Sequence, residues 1–181
     1  ALVVYASDTL AAYTPVDANG TQLASPISIG SLKVELPRTL PEVTSAVARF
    51  DYIDLVTAEL PATPLSPGAS YDLAWTWRPR PSSYRDHYRA KVSLEAEGSP
   101  SISLLEFDLG AIDYPSSQWV AGFPLRQITT LMLPGDIRPG KYAVILSVAR
   151  ASDGSAIPAH LPWRIGEQPQ VSVGTIQVST P

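Results

Sequence analysis

Proline sets the first limit on this chain. Eighteen of the 181 residues are proline, and the widest interval between them runs only from Pro41 to Pro61. Each one lacks a backbone N–H and locks φ near −65°, so inside a helix it costs about 3 kcal/mol or more. Prolines spread this evenly leave room for short extended runs and turns, and little room for long helices.

The intervals between them alternate. In Tyr71-Asp72-Leu73-Ala74-Trp75-Thr76-Trp77-Arg78 the large apolar groups fall on odd positions, a period-two pattern that predicts a strand with one buried face. Pro79 and Pro81 are expected to stop it. Tyr88, Ala90, Val92, Leu94 and Ala96 line one face of a second run, with Arg89, Lys91, Ser93 and Glu95 on the other. Ser101–Leu109 reads as a third strand after the turn signal Gly98-Ser99-Pro100. Leu125–Leu133 carries apolar groups on both faces, which predicts a central strand. Tyr142, Val144, Leu146 and Val148 share a face of the next run, Asp153-Gly154 marks a tight turn, and Val171–Val178 closes the chain. Ser66-Pro67-Gly68 and Arg138-Pro139-Gly140 both place Pro-Gly before a strand led by Tyr, a pairing suited to a type II turn. In the first part, Asp17-Ala18-Asn19-Gly20 predicts a hairpin turn, and Ala46–Leu60 reads as extended rather than as a helix beginning near Pro41.

The pattern predicts an all-β fold: a single antiparallel β-sandwich of about eight to ten strands, Ig-like or jelly-roll, with little helix. Residues 1–45 are expected to form an N-terminal hairpin or extended segment and 46–181 the main sandwich. The expected core holds Leu73, Trp75, Val92, Leu94, Leu131, Tyr142, Val144, Leu146, Val148 and Val173.

Composition removes several functions. There is no cysteine, hence no disulfide, no thiol nucleophile and no zinc–cysteine or iron–sulfur site. The net charge is −4, which argues against a nucleic-acid partner. No apolar stretch approaches the roughly 20 residues of a spanning helix, and Ala1–Tyr5 lacks the basic start of a signal peptide. His87 and His160 have no metal-ligand spacing, so neither a metal nor another cofactor is expected. The chain carries no Gly-x-Ser-x-Gly elbow and no phosphate loop. Two carboxylate pairs, Glu95/Glu97 and Glu106/Asp108, have the strand spacing of about 7 Å that acid–base work on a glycoside needs, yet any solvated strand face produces it.

The flat side chains that a sugar ring could stack on are Trp75, Trp77, Tyr84, Tyr88, Trp119 and Trp163. Most are expected in the core. Tyr84 lies in the polar connection Pro79–His87 beside Arg85, Asp86 and His87. An exposed aromatic next to hydrogen-bonding groups makes Tyr84, Arg85 and His87 the expected carbohydrate site.

Residues 66–150 also carry an ordered set of motifs. They run Pro67-Gly68 into Tyr71–Trp77, then Phe107-Asp108, then Tyr114-Pro115-Ser116-Ser117-Gln118-Trp119-Val120-Ala121-Gly122, then Leu133-Pro134 and Arg138-Pro139-Gly140-Lys141-Tyr142. This block resembles the extracytoplasmic β-sandwich domains that follow the membrane-spanning part of large bacterial glycosyltransferase-like proteins, relatives of the protein mannosyltransferases. The resemblance implies a non-catalytic accessory module of a membrane-anchored parent, on the periplasmic or cell-surface side. Its partners would be a glycan or the parent's membrane-embedded part. It also implies that Trp119 plugs one end of the sandwich. The alternatives are a small glycoside-acting enzyme using a carboxylate pair, or a purely structural or protein-docking domain.

Overall fold

The computed structural model describes residues 46–62, 64–83 and 85–179, all within one compact unit spanning Leu40–Pro181. The expected hairpin at Asp17–Gly20, the segment 1–45 and Tyr84 lie outside the described residues. Thirteen strands follow in order: β1 Ala48–Phe50, β2 Ile53–Glu59, β3 Ser70–Pro79, β4 Tyr88–Glu95, β5 Ile102–Asp108, β6 Gly110–Ala111, β7 Tyr114–Pro115, β8 Leu125–Met132, β9 Gly140–Arg150, β10 Ala156–Ile157, β11 Ala159–His160, β12 Glu167–Gln168 and β13 Val171–Val178. A single 3-10 turn, Ser116–Gln118, is the helical content among the described residues. No helix there is long and apolar enough to cross a membrane.

The strands form an antiparallel β-sandwich. One sheet has the order β12-β11-β1-β2-β3-β8; the other runs β10-β9-β4-β5, with β13 pairing β9 beside β10; β6 and β7 make a separate small ribbon. The alternation explains the core. Leu73, Trp75 and Trp77 of β3 meet Tyr88, Ala90, Val92 and Leu94 of β4 and Tyr142, Val144, Leu146 and Val148 of β9 in one continuous buried cluster. Trp75 stacks on Phe107 across the two sheets, ring centroids 5.9 Å apart, and its Nε1 donates to Thr129 Oγ1 at 2.9 Å. The ring is thus buried without stranding its one polar atom.

Several local expectations need correction. Among the described residues β8 is an edge strand and not a central one: β3 alone pairs with it there, and its outward Ile128 and Met132 are 56% and 67% exposed. An outward isoleucine such as Ile128 reflects the preference of β-branched residues for extended backbone rather than burial. Val173 is half-buried, because a bulge between Ser172 and Gly174 reverses the parity of β13. Val171 points inward before the bulge, Ile176 and Val178 after it. β3, by contrast, stops where expected: Pro79 is its last residue and lies opposite Ile53.

The two Pro-Gly signals also diverge. At Ser66–Ala69 the Ala69 N–H donates to the Ser66 carbonyl and Gly68 has φ 75°, as in a type II turn. Gly140 has φ 154° and is already the first residue of β9; the turn before it is closed earlier, by Ile137 N–H to the Pro134 carbonyl.

Candidate functional site

The connection from β3 to β4 is tied to the sandwich at several points. Arg80 N–H donates to the Tyr52 carbonyl and Ala151 N–H to the His87 carbonyl. Asp86 accepts from the His87 N–H through Oδ1 and pairs with Arg150 at 3.2 Å through Oδ2. Tyr52 OH donates to the Asp86 carbonyl, and Tyr88 OH donates to Asp51 Oδ2 at 2.6 Å. The two tyrosine rings tilt against one another at 5.3 Å beneath this connection. Burial is the main force pushing Tyr52 up to about 12; burial first, and then the bond to Asp51, raises Tyr88 as well.

Of the three expected site residues, Tyr84 lies outside the described residues. Arg85 is exposed, and its Nη1 donates to the Trp119 carbonyl at 2.9 Å. His87 is half-buried, with Nδ1 3.4 Å from Ser116 Oγ and Nε2 3.5 Å from Asp108 Oδ1. Ser116 and Asp108 were not expected here; the fold brings them to His87 from a different strand and turn. Serine, histidine and aspartate in sequence invite a hydrolase reading, but the geometry does not support a nucleophile. Ser116 is fully buried, accepts from Tyr88 N–H at 2.9 Å, and has the Asp86 carbonyl at 3.4 Å. A substrate carbonyl has no path to its hydroxyl, and both flanking distances are long for proton transfer.

Trp119 sits directly below. It is 1% exposed, and Nε1 donates to the Tyr114 carbonyl at 3.3 Å. Gly110, φ 94°, passes so close that an added Cβ would lie 2.3 Å from the Tyr114 carbonyl oxygen and 3.0 Å from Trp119 Nε1. Gly110→Ala is therefore expected to cost about 3 kcal/mol, combining a left-handed backbone with a backbone clash. A denaturant titration giving less than a third of that would show that the β6–β7 ribbon shifts freely.

His87 leads outward onto the solvent face of β5-β4-β9. Register there sets out two parallel rows: Asp108, Arg89 and Ala149, then Glu106, Lys91 and Ser147. Each row runs acid, base, small residue. The long side chains of β4 form a ridge, and Ser147 and Ala149 leave a trough between that ridge and the turn at 150–154. The result is a groove of about 440 Å³ lined by Arg89, Lys91, Glu106, Ser147, Ala149 and Asp153 among others. Arg89 donates through Nε to Asp108 at 3.0 Å and through Nη1 to Glu106 at 3.3 Å. Asp108 thus links His87 to the groove wall.

Three of the four paired carboxylates find partners, Glu106, Asp108 and Glu95. Glu106 and Asp108 share Arg89, and Glu95 accepts from Gln170 Nε2 at 3.1 Å while Glu97 lies exposed beyond β4. Neither pair sits in the apolar pocket that a glycosidase acid requires. Among the candidate stacking rings, Trp75, Trp77, Tyr88 and Trp119 are all buried, whereas Trp163 is 68% exposed.

No protein-family model and no curated protein matches the chain. Eighteen solved chains match in structure. One of them, described as the crystal structure of the C-terminal domain of wzt, has a TM-score of 0.44 and 8% identity, over 76% of this chain and 80% of that one. A likeness at that level says nothing about function.

Proposed function

We propose that this chain is a non-catalytic accessory module of a membrane-anchored parent, on the extracytoplasmic side, and that it binds carbohydrate weakly. The observation that carries the binding is the groove on the solvent face of β5-β4-β9. Sugar hydroxyls both donate and accept, and the wall offers both kinds of partner, with Arg89 and Lys91 beside Glu106, above a floor of Ser147 and Ala149. Of the expected site residues, His87 adjoins this wall, since its Nε2 lies 3.5 Å from Asp108, which pairs with Arg89. The location and the parent rest on the sequence resemblance alone.

A glycan array followed by NMR titration of the chain tests the proposal. An open groove of this size predicts a dissociation constant on the order of 1 mM. Ala149→Trp, which fills the trough, and His87→Ala should each weaken binding at least tenfold. Binding unchanged by Ala149→Trp would reject the groove. Turnover of chromogenic glycosides, abolished by Glu106→Ala or Asp108→Ala, would replace the module reading with an enzyme. Protease accessibility of the tagged parent in spheroplasts tests the location.

One observation favours a second position for the ligand. Trp163 stands on a turn closed by Arg164 N–H to the Leu161 carbonyl, with Pro162 presetting its backbone. The ring is held out at low entropic cost, near the exposed His160–Glu167 pair, whose atoms lie 3.6 Å apart. Loss of glycan binding in Trp163→Ala, with Ala149→Trp unaffected, would move the site to this turn.

A further inference from the structure

The outer face of the six-stranded sheet carries a charged cluster that the glycan reading does not use. Register places Arg49 of β1 and Arg78 of β3 on either side of Asp54 of β2. Arg80, just beyond β3, turns back to the same carboxylate. Asp54 is 1% exposed, an unusual position for an aspartate, and it survives burial because guanidinium groups cover it.

The three contacts are unequal. Arg78 Nη2 donates to Asp54 Oδ2 at 2.7 Å. Arg49 Nε and Arg80 Nε each stand 3.4 Å from Oδ1, within ion-pair range. Yet among the described residues Oδ1 accepts no hydrogen bond, and the buried Arg80 Nε has no hydrogen-bond partner there. Arg80 also bonds the Asp51 carbonyl through Nη2, while the Asp51 carboxylate is taken by Tyr88. Beyond Arg49 the row continues to His160 and its partner Glu167. Three guanidiniums therefore converge on one carboxylate. Arg49 and Arg80 are 53% and 36% exposed, so solvent reaches them while Asp54 anchors them from below.

We propose that Arg49 and Arg80, held on Asp54, form a binding site for a tetrahedral oxyanion, a phosphate or sulfate group. Guanidinium forks match such groups in geometry and remain charged at any physiological pH. Asp54 fixes where the two arginines stand, which removes part of the ordering cost that long side chains would otherwise incur on binding. The site is on the opposite sheet from the groove and stands whether or not the groove binds sugar.

The test follows the arginine Nε–Hε signals of the full chain by NMR during titration with inorganic phosphate, with sodium chloride at matched ionic strength as reference. Saturable shifts of Arg49 and Arg80, with a dissociation constant on the order of 1 mM, are expected, and Arg126, paired with Glu59 at 2.8 Å, should not respond. Arg49→Gln and Arg80→Gln should each weaken phosphate binding about tenfold. Arg49 is the more exposed of the two, so its variant keeps the test open if Arg80→Gln fails to fold. Shifts equal to those in chloride, or binding retained in Arg49→Gln, would overturn the proposal. Mannose 6-phosphate and vesicles containing phosphatidylglycerol then separate the sources: tighter binding of the sugar phosphate assigns the oxyanion to a glycan, and tighter binding of the vesicles assigns it to a lipid headgroup.

Discussion

Trp119→Ala is expected to lower the free energy of unfolding by about 3–5 kcal/mol, the range for removing a large buried aromatic. The ring is 1% exposed and lies in the same buried cluster as Trp77 and Leu109. Its indole N–H goes to the Tyr114 carbonyl, and its own carbonyl receives Arg85. Deleting the ring opens a cavity, unsupports the β6–β7 ribbon and loosens the anchor of the β3–β4 connection together. Urea titration of the variant measures the loss. A midpoint within error of wild type would mean that Trp119 is not the plug of this end of the sandwich. Trp119→Ala combined with Gly110→Ala should cost less than the two separate losses, since both act on one contact.

Alkali is expected to destabilise the protein steeply above pH 10, through Tyr52 and Tyr88. Burial raises both groups in the folded state, Tyr52 to about 12 and Tyr88 further. The folded chain therefore holds these protons more tightly than the unfolded chain, whose tyrosines titrate near 10. The stability linked to the two protons is fully present below pH 10 and drains as pH climbs toward the folded values. Each tyrosine contributes a slope of up to about 1.4 kcal/mol per pH unit in that window. Denaturant midpoints measured from pH 8 to 11.5 should stay flat to about pH 9.5 and then fall. Tyr52→Phe should reduce the slope by about half. An unchanged slope in Tyr52→Phe would assign the alkaline loss to other groups. Tyr88→Phe also removes the hydrogen bond from its hydroxyl to Asp51 at 2.6 Å, a contact that the Tyr52 variant keeps.

The candidate site was legible only in part. The connection carrying Arg85 and His87 was visible from its prolines and polar residues, and β4 and β5 from their alternation. The partners of His87 were not visible. Ser116 reaches it from the 3-10 turn and Asp108 from the end of β5. The groove depends on Ser147 and Ala149 lying across β4 from the two acids. Small residues at those positions carry no signal until the pairing of β4 with β9 is known.

The sequence by itself determined the all-β class, the inward faces of β3, β4 and β9, the Gly68 turn and the absence of thiol chemistry. These follow from backbone geometry, which repeats every two residues in a strand and confines proline to edges, ends and turns. Only the tertiary structure decided which strand lies at an edge, where β13 changes parity, and why Asp54 is buried. Those outcomes depend on pairings between distant segments. Among the described residues β8 is an edge because one neighbour pairs with it, Gly174 bulges under Leu60, and Asp54 is enclosed because Arg49 and Arg78 arrive on adjacent strands. No local pattern encodes them, since the free energy that selects a register comes from burying a whole face at once.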